Sequence, residues 1–260
     1  MEQDGFSIVK SKKGGRRKGP GQHRTTVIHD KSQPDIDKSS VLSRVEAAKI
    51  ELLTSQFWAE FVSISDSILR RTEAVFCFGL GHFCDSVTAK YQFALLLCIR
   101  DTYGIQHVQL SDPIFYQCEV ELLQEEYQLT VISDNLEGRQ PCTSPSLLLL
   151  PHCPKQMTNN LLFSNWDPRL LSNLYLISNS ISNINSNKDL NFINTAITEN
   201  FVEEKSLKNV FKYQDIFNDL SLHLFNASET SLDSPLWKNV SKPEYSDEDV
   251  EFITANKKLL

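Results

Sequence analysis

The sequence predicts an α/β fold: an open, mostly parallel, Rossmann-like sheet with helices on both faces, an N-terminal helical segment and disordered tails. Two observations support this prediction. Short apolar runs without polar alternation recur along the chain, as expected of strands that are buried on both faces of a sheet. Stretches with helical periodicity separate these runs, which indicates right-handed crossovers between parallel strands.

The helical segment is predicted to begin at Ser43, because Ser43-Arg44-Val45-Glu46 fits a capping box. It continues to about Ile68 with a break near Ser55. The apolar runs place five strands at 74–81, 107–113, 129–133, 146–153 and 174–180. The intervening periodic stretches place helices at 86–102, 116–127 and 154–166.

Beyond residue 181 the pattern weakens into an Asn- and Ser-rich loop, a helix at 189–201 and an alternating stretch at 219–225 that we expect to form an edge strand. We therefore predict three regions. They are a disordered basic tail (1–39), an α/β domain (40–225) and an acidic, flexible C-terminal tail (226–260).

The charge is unevenly distributed. The whole chain has a formal charge of −7, whereas residues 1–40 hold nine Lys/Arg against five Asp/Glu. The folded body is thus too acidic for broad nucleic-acid binding. The basic, glycine-rich stretch 10–24 cannot form a core and is expected to be a nuclear-import signal, a nucleic-acid-contacting arm or a solubilising tail.

The sequence also constrains the compartment. It has no run of 18 apolar residues and no apolar block near its start, so we expect no membrane span and no signal peptide. Its six cysteines are scattered without a C-x-x-C pair, which is typical of reduced thiols. We expect a soluble protein of the cell interior.

Ligands bind parallel α/β sheets at the carboxyl ends of the strands, near the point where the strand order reverses. The first strand ends in Gly79-Leu80-Gly81, which is half of a dinucleotide fingerprint, and the second ends in Asp112. Glycines permit a close backbone approach, and Asp112 is placed to accept from a ribose hydroxyl. This pattern favours S-adenosylmethionine or a nucleotide, although the third glycine is missing.

Two His/Cys pairs suggest a different ligand. If the first and fourth strands are neighbours, His82 with Cys84 and His152 with Cys153 converge on one cleft, and these donors suit a metal or haem iron. Cys153-Pro154 is the dipeptide through which regulatory proteins take haem by an axial thiolate. The alternative is structural, since buried cysteines often act as small hydrophobes and proline suits a first helical position.

Amide and hydroxyl side chains gather beside the fourth and fifth strands. Asn160 and Asn165 follow the fourth strand, and Asn179 and Ser180 end the fifth. Such a cluster suits a neutral polar ligand or fixes loop backbone, and we favour backbone fixing. No catalytic motif stands out, since there is no G-x-S-x-G and no H-E-x-x-H.

Several motifs together resemble the Sensitivity to Red Light Reduced (SRR-like) family over residues 40–225. The matching stretches are FCFGLGHF, YQFALLL, SDPIFYQCEVELL, LLLLPHCP, NNLLFSNW, LYLISNS and FNDLSLHLF. The family has small polar residues at the positions of His82 and Cys84, which leaves His152 and Cys153 as the stronger pair.

This resemblance implies a regulatory protein of circadian clock input, clock-gene expression and haem biosynthesis. Such a protein acts through protein partners in cytoplasm and nucleus and has no established reaction. Haem sensing through Cys153 is a further hypothesis. The alternative is a methyltransferase-like enzyme that binds S-adenosylmethionine or a nucleotide at Gly79, Gly81 and Asp112.

Overall fold

A seven-stranded sheet with helices on both faces forms the centre of the molecule, as the sequence predicts. The computed structural model describes residue 34 and residues 36–184, 189–227, 232–238, 240–246 and 252–255. The strands are β1 (Ala74–Phe78), β2 (His107–Ser111), β3 (Thr130–Val131), β4 (Ser146–Leu150), β5 (Leu174–Asn179), β6 (Val202–Ser206) and β7 (Leu220–Phe225). The helices are α1 (Lys38–Leu53), α2 (Gln56–Leu69), α3 (Val87–Tyr103), α4 (Gln117–Glu121), α5 (Lys155–Ser164), α6 (Pro168–Leu171) and α7 (Asn191–Thr198).

The strand order is β3-β2-β1-β4-β5-β7-β6. Strands β1 to β5 run parallel, and β7 is antiparallel to both of its neighbours. The first and fourth strands therefore lie side by side, and the parallel part of the order reverses between them. This adjacency places the loops after β1 and β4 at one edge of the sheet, where ligands of such folds bind.

The central strands are apolar throughout because each face is covered by its own helical layer. Alternate side chains of β4 illustrate this arrangement. Leu147 and Leu149 belong to the core under α1, α2 and α3, whereas Leu148 and Leu150 belong to the core under α5 and α7. A strand in a one-sided sheet would instead alternate apolar with polar residues.

The N-terminal helices begin earlier than expected. Asp37, not Ser43, caps α1, and its side chain accepts from the backbone N–H of Ser39 at 3.0 Å. The expected break is confirmed, since Ser55 caps α2 by accepting from the N–H of Trp58 at 3.1 Å. Helical structure thus starts at Lys38, and the predicted boundary of the basic tail at residue 39 falls inside α1.

The expectation of an edge strand at 219–225 is wrong. Strand β7 lies between β5 and β6, and the edge is formed by β6, which the sequence analysis missed. Its sequence, Val-Glu-Glu-Lys-Ser, carries charges that suit an exposed edge but give no apolar pattern.

The prediction of a flexible acidic tail also needs correction for the described parts of residues 232–255, here called the C-terminal segment. The indole N–H of Trp166 donates to the carbonyl of Leu236 at 2.8 Å, and the side chain of Asn135 donates to the carbonyl of Ile253 at 2.9 Å. Phe252 is buried. A few apolar anchors among acidic residues are enough to dock the segment, although its average composition resembles that of a tail.

The basic stretch 10–24 lies outside the described residues. Within the described part of the chain, no helix has the length and apolarity needed to span a membrane.

A carboxylate ties the three strands β5, β6 and β7 together. Glu204 of β6 accepts from the backbone N–H and the hydroxyl of Ser182, and its carboxylate lies 3.6 Å from Nε2 of the buried His223. Burial acts to raise the pKa of Glu204, but the neighbouring ring of His223 and hydrogen bonds from Ser180 and Ser182 outweigh it and hold the pKa well below 4.5. The ionised carboxylate therefore stabilises the fold.

This sign gives a pH-dependent prediction. Because the folded-state pKa is depressed, the stabilisation by Glu204 is present above pH 4.5 and is lost as the pH falls towards the folded-state pKa. We expect Glu204→Gln to lower the free energy of unfolding by about 1–3 kcal/mol near neutral pH. Urea titrations should show this difference shrinking below about pH 4.5.

The neighbouring Glu203→Gln is the matched control. Its side chain is exposed and forms a surface ion pair with Lys205, so it should change stability by less than about 1 kcal/mol. If the cost of Glu204→Gln were the same in neutral and in acid solution, the charge of Glu204 would not be the stabilising feature.

Candidate functional site

Two glycines with left-handed backbone conformations shape the loop after β1. Gly79 has φ 65° and Gly81 has φ 76°, a conformation that strains other residues. The N–H of Gly81 donates to Asp112 at 2.7 Å, and the N–H of Gly79 donates to the carbonyl of Ser111 at 3.3 Å. The end of β2 thus fixes the loop after β1.

Asp112 uses both carboxylate oxygens for this purpose. Besides Gly81, it accepts from the N–H of Ile114 at 3.0 Å, and only 7% of the residue is exposed. Burial raises the pKa of Asp112, and the two backbone hydrogen bonds partly oppose it. The expected ribose-binding carboxylate is therefore already engaged as a brace between two loops.

Glu119 is a second brace, and the sequence analysis gave it no role in the site. Its carboxylate is fully buried and accepts from the N–H of Cys84 at 3.0 Å and the N–H of Tyr116 at 3.0 Å. It also lies 2.9 Å from Nδ1 of His82, whose ring stacks on Tyr116 with centroids 3.7 Å apart. Glu119 follows Tyr116, the N-cap of α4, by three residues. A glutamate at this position of a helix start is the sequence signal for a carboxylate that accepts from the N-cap N–H.

His82 and Cys84 therefore do not converge with His152 and Cys153. The ring of His82 and the backbone N–H of Cys84 both contact the carboxylate of Glu119. These contacts give both residues a structural role. In the described part of the chain, no three His, Cys, Asp or Glu side chains lie close enough together to hold a metal ion. The four-ligand hypothesis is not supported by this geometry.

Cys153 does not fit an axial haem thiolate. Its thiol donates to the carbonyl of Phe78 at 3.2 Å and packs against Gly79. Burial raises the pKa of the thiol well above its ordinary value of 9.0, and nearby Cys77 and Asp112 act in the same direction. A protonated, hydrogen-bonded sulfur is a poor ligand for iron, since the thiolate is the form that binds metals. Cys153 instead joins the loops after β1 and β4.

His152 adopts a left-handed backbone with φ 54°, which is uncommon for a residue with a side chain. Its Nε2 lies 3.1 Å from the carbonyl of Ile216, and because a carbonyl only accepts, Nε2 carries the proton. The side chain of Gln92 donates to the same carbonyl at 3.4 Å. The long β6–β7 connection is thereby attached to the loop after β4.

Asn160 and Asn165 bind backbone groups of neighbouring segments. Both are fully buried: Asn160 donates to the carbonyl of Glu137 at 2.9 Å, and Asn165 accepts from the N–H of Cys142 at 2.7 Å. These contacts are the ones that the backbone-fixing interpretation requires. Ser180 has a similar role, since its hydroxyl accepts from the N–H of Asn183 at 3.2 Å.

A cleft of about 840 Å³ opens beside the carboxyl ends of β4 and β5. Three of the nine predicted site residues line it, namely His152, Cys153 and Asn179. The remaining lining residues are Pro154, Lys155, Gln156, Thr158 and Ile184. Sequence analysis missed the polar residues of α5, although a helix that starts directly after a strand-end loop faces the same cleft.

The contact between Gly79 and Cys153 yields a prediction. A Cβ at Gly79 would lie 2.4 Å from Sγ of Cys153, so Gly79→Ala adds a clash to the cost of the left-handed backbone. We expect a loss of about 2–4 kcal/mol in urea unfolding, part of which is relieved in the double variant with Cys153→Ala.

Gly104→Ala is the control for the backbone cost alone. Gly104 has φ 66°, and nothing lies within 4 Å of a Cβ built there, so the loss should stay near 1 kcal/mol. Equal losses at Gly79 and Gly104 would show that the packing of Cys153 against the glycine loop is not tight.

Comparison with known proteins identifies the family. A family model described as the SRR1 domain matches residues 50–224. A Drosophila melanogaster SRR1-like protein is 28% identical over 98% of this chain and 95% of its own length. Protein SENSITIVITY TO RED LIGHT REDUCED 1 of Arabidopsis thaliana is 24% identical over 58% of each chain.

Among solved structures, the 23S rRNA methyltransferase ErmE is similar with a TM-score of 0.34 and 11% identity, over 74% of this chain and 69% of that one. The chain belongs to the SRR1 family.

Proposed function

We propose that this chain is a regulatory protein of circadian clock input, clock-gene expression and haem biosynthesis, acting through protein partners in cytoplasm and nucleus. The observation that supports this proposal is family membership, with a fruit-fly relative that is similar over nearly the whole chain. The Arabidopsis relative is named for reduced sensitivity to red light, which is a signalling phenotype of that protein.

In this proposal, a small molecule that binds in the cleft beside β4 and β5 regulates the protein. It is concave, of a size that small molecules fill, and lined by polar groups from two strand ends and one helix. Its walls are fixed before any ligand arrives, because Cys153 is tied to Phe78 and His152 to Ile216. Such a site suits recognition of a metabolite.

Haem sensing through a Cys153 thiolate is not part of this proposal. The thiol is protonated and already donates to a backbone carbonyl. Regulation of haem biosynthesis is therefore proposed as an output of the protein and not as a consequence of iron ligation at this cysteine.

Functional replacement tests the proposed role. Fruit-fly cells that lack their own SRR1-like protein would be given this chain, and the amplitude of clock-gene transcripts and the haem content would be measured. We expect the chain to restore at least half of each lost response, because the similarity spans nearly the full length of both proteins. No restoration at an equal protein level would contradict the proposal.

A second candidate function is favoured by the strand order. The order β3-β2-β1-β4-β5-β7-β6 is doubly wound, and its parallel part reverses between β1 and β4. Doubly wound sheets bind nucleotide-type ligands at such a switch point, and the loop of Gly79 and Gly81 lies there, as a methyltransferase-like enzyme that binds S-adenosylmethionine would require. The engagement of Asp112 with Gly81 and Ile114 weighs against this candidate, because no carboxylate oxygen is left without a backbone donor.

A thermal-shift screen separates the two functions. The full chain would be heated with S-adenosylmethionine, its demethylated product and dinucleotides, each at saturating concentration. A ligand at a hundred times its dissociation constant stabilises by about 2.7 kcal/mol, which is readily measured. If the methyltransferase candidate is correct, the cofactor shifts the melting temperature and Asp112→Asn reduces the shift. No shift with any of them removes this candidate.

A further inference from the structure

The lining of the β4–β5 cleft has an unusual charge balance. The chain as a whole is acidic, with 33 Asp/Glu against 26 Lys/Arg, yet none of the described residues that line the cleft carries a carboxylate. Lys155 and His152 are the basic residues of the lining. The cleft thus offers positive charge and polar groups on an otherwise negative molecule.

Lys155 is exposed at the first position of α5. Within the described residues it forms no ion pair, whereas other lysines, such as Lys49 and Lys205, pair with neighbouring carboxylates. Its charge is therefore not neutralised by the protein. An anion that enters the cleft would meet a cation whose attraction is undiminished by a competing acid.

Asn179 contributes an unsatisfied polar atom to the same cleft. Its side-chain oxygen is buried and has no hydrogen-bond partner among the described residues. Buried polar atoms in folded proteins are nearly always paired, so this oxygen is available to accept a hydrogen bond from a water or from a ligand in the cleft. That partner must be an N–H or O–H donor.

The residues on the other side of the cleft, His152 and Cys153, already form hydrogen bonds within the protein. Nε2 of His152 donates to Ile216, and the sulfur of Cys153 donates to Phe78. These contacts position the cleft wall but leave Lys155 and Asn179 for recognition. Ile184 and Pro154 add apolar surface against which a carbon skeleton can pack.

We propose that this cleft binds a small anionic metabolite whose phosphate or carboxylate pairs with Lys155 and whose N–H or O–H group donates to the oxygen of Asn179. The inference rests on the proposed regulatory function, in which this cleft receives the input. It adds the chemical class of the ligand and the two residues that select it.

Titration of the isotope-labelled full chain followed by NMR tests the ligand class. The probes are inorganic phosphate, succinate, and the matched pair of adenosine monophosphate and adenosine. We expect amide shifts near residues 152–158 and 179 with at least one anion, and tighter binding of the monophosphate than of adenosine. The phosphate and succinate arms distinguish a phosphoryl from a carboxylate ligand. No shifts with any anion, or equal binding of the monophosphate and adenosine, would overturn the proposal.

Variants test the two residues. Lys155→Gln removes the charge and should weaken binding of the responding anion about tenfold, whereas Lys208→Gln, an exposed lysine on another face, should change it less than about twofold. Asn179→Ala should weaken the monophosphate at least about threefold. Because Lys155 is exposed, the Lys155→Gln variant keeps the fold. Unchanged anion affinity in this variant would show that Lys155 does not bind the ligand.

The functional replacement assay separates the two proposals. If Lys155→Gln loses anion binding but restores the cellular responses fully, ligand binding in the cleft does not regulate the protein, although the proposed ligand class is correct. If the anions fail to bind while the unmodified chain restores the responses, the regulatory role stands and the ligand class is wrong.

Discussion

Two buried carboxylates in the segment after β2 organise the ligand-facing edge of this protein. Asp112 and Glu119 accept backbone N–H groups from the loop after β1, and Glu119 also holds the ring of His82. Without these acceptors, the N–H groups of Gly81 and Cys84 in this loop would lose their partners, which is costly in a protein interior. The position of the glycine loop, and through it the packing of Cys153, depends on this pair of side chains.

The two bracing carboxylates also weigh against a nucleotide site at this edge. A binding loop must present N–H groups to its ligand, whereas here the N–H of Gly81 is already used by the protein. The side chains proposed for recognition, Lys155 and Asn179, lie beside β4 and β5. In the proposed function, the ligand therefore binds nearer to the fifth strand than to the first.

Most of the sheet could be predicted from sequence because strands covered on both faces are continuously apolar, as in Leu147–Leu150. Strand β6 could not, since an exposed edge places charges where pattern analysis looks for apolar residues. The site was predicted in part. Strand-end position identified His152, Cys153 and Asn179, but burial and hydrogen bonding, which decide whether Cys153 is a ligand or a linker, depend on contacts distant in sequence.

The C-terminal segment extends the folded unit beyond the residues that the family model matches. The family match ends at residue 224, yet the hydroxyl of Tyr245 lies 2.9 Å from the side-chain nitrogen of Asn159 and 3.1 Å from the side-chain oxygen of Asn160. Those amides lie on α5, whose first turn lines the cleft. A fragment cut at the family boundary would expose both amides and the apolar surface under Trp166. The packed structure is therefore longer than the stretch that the family model matches.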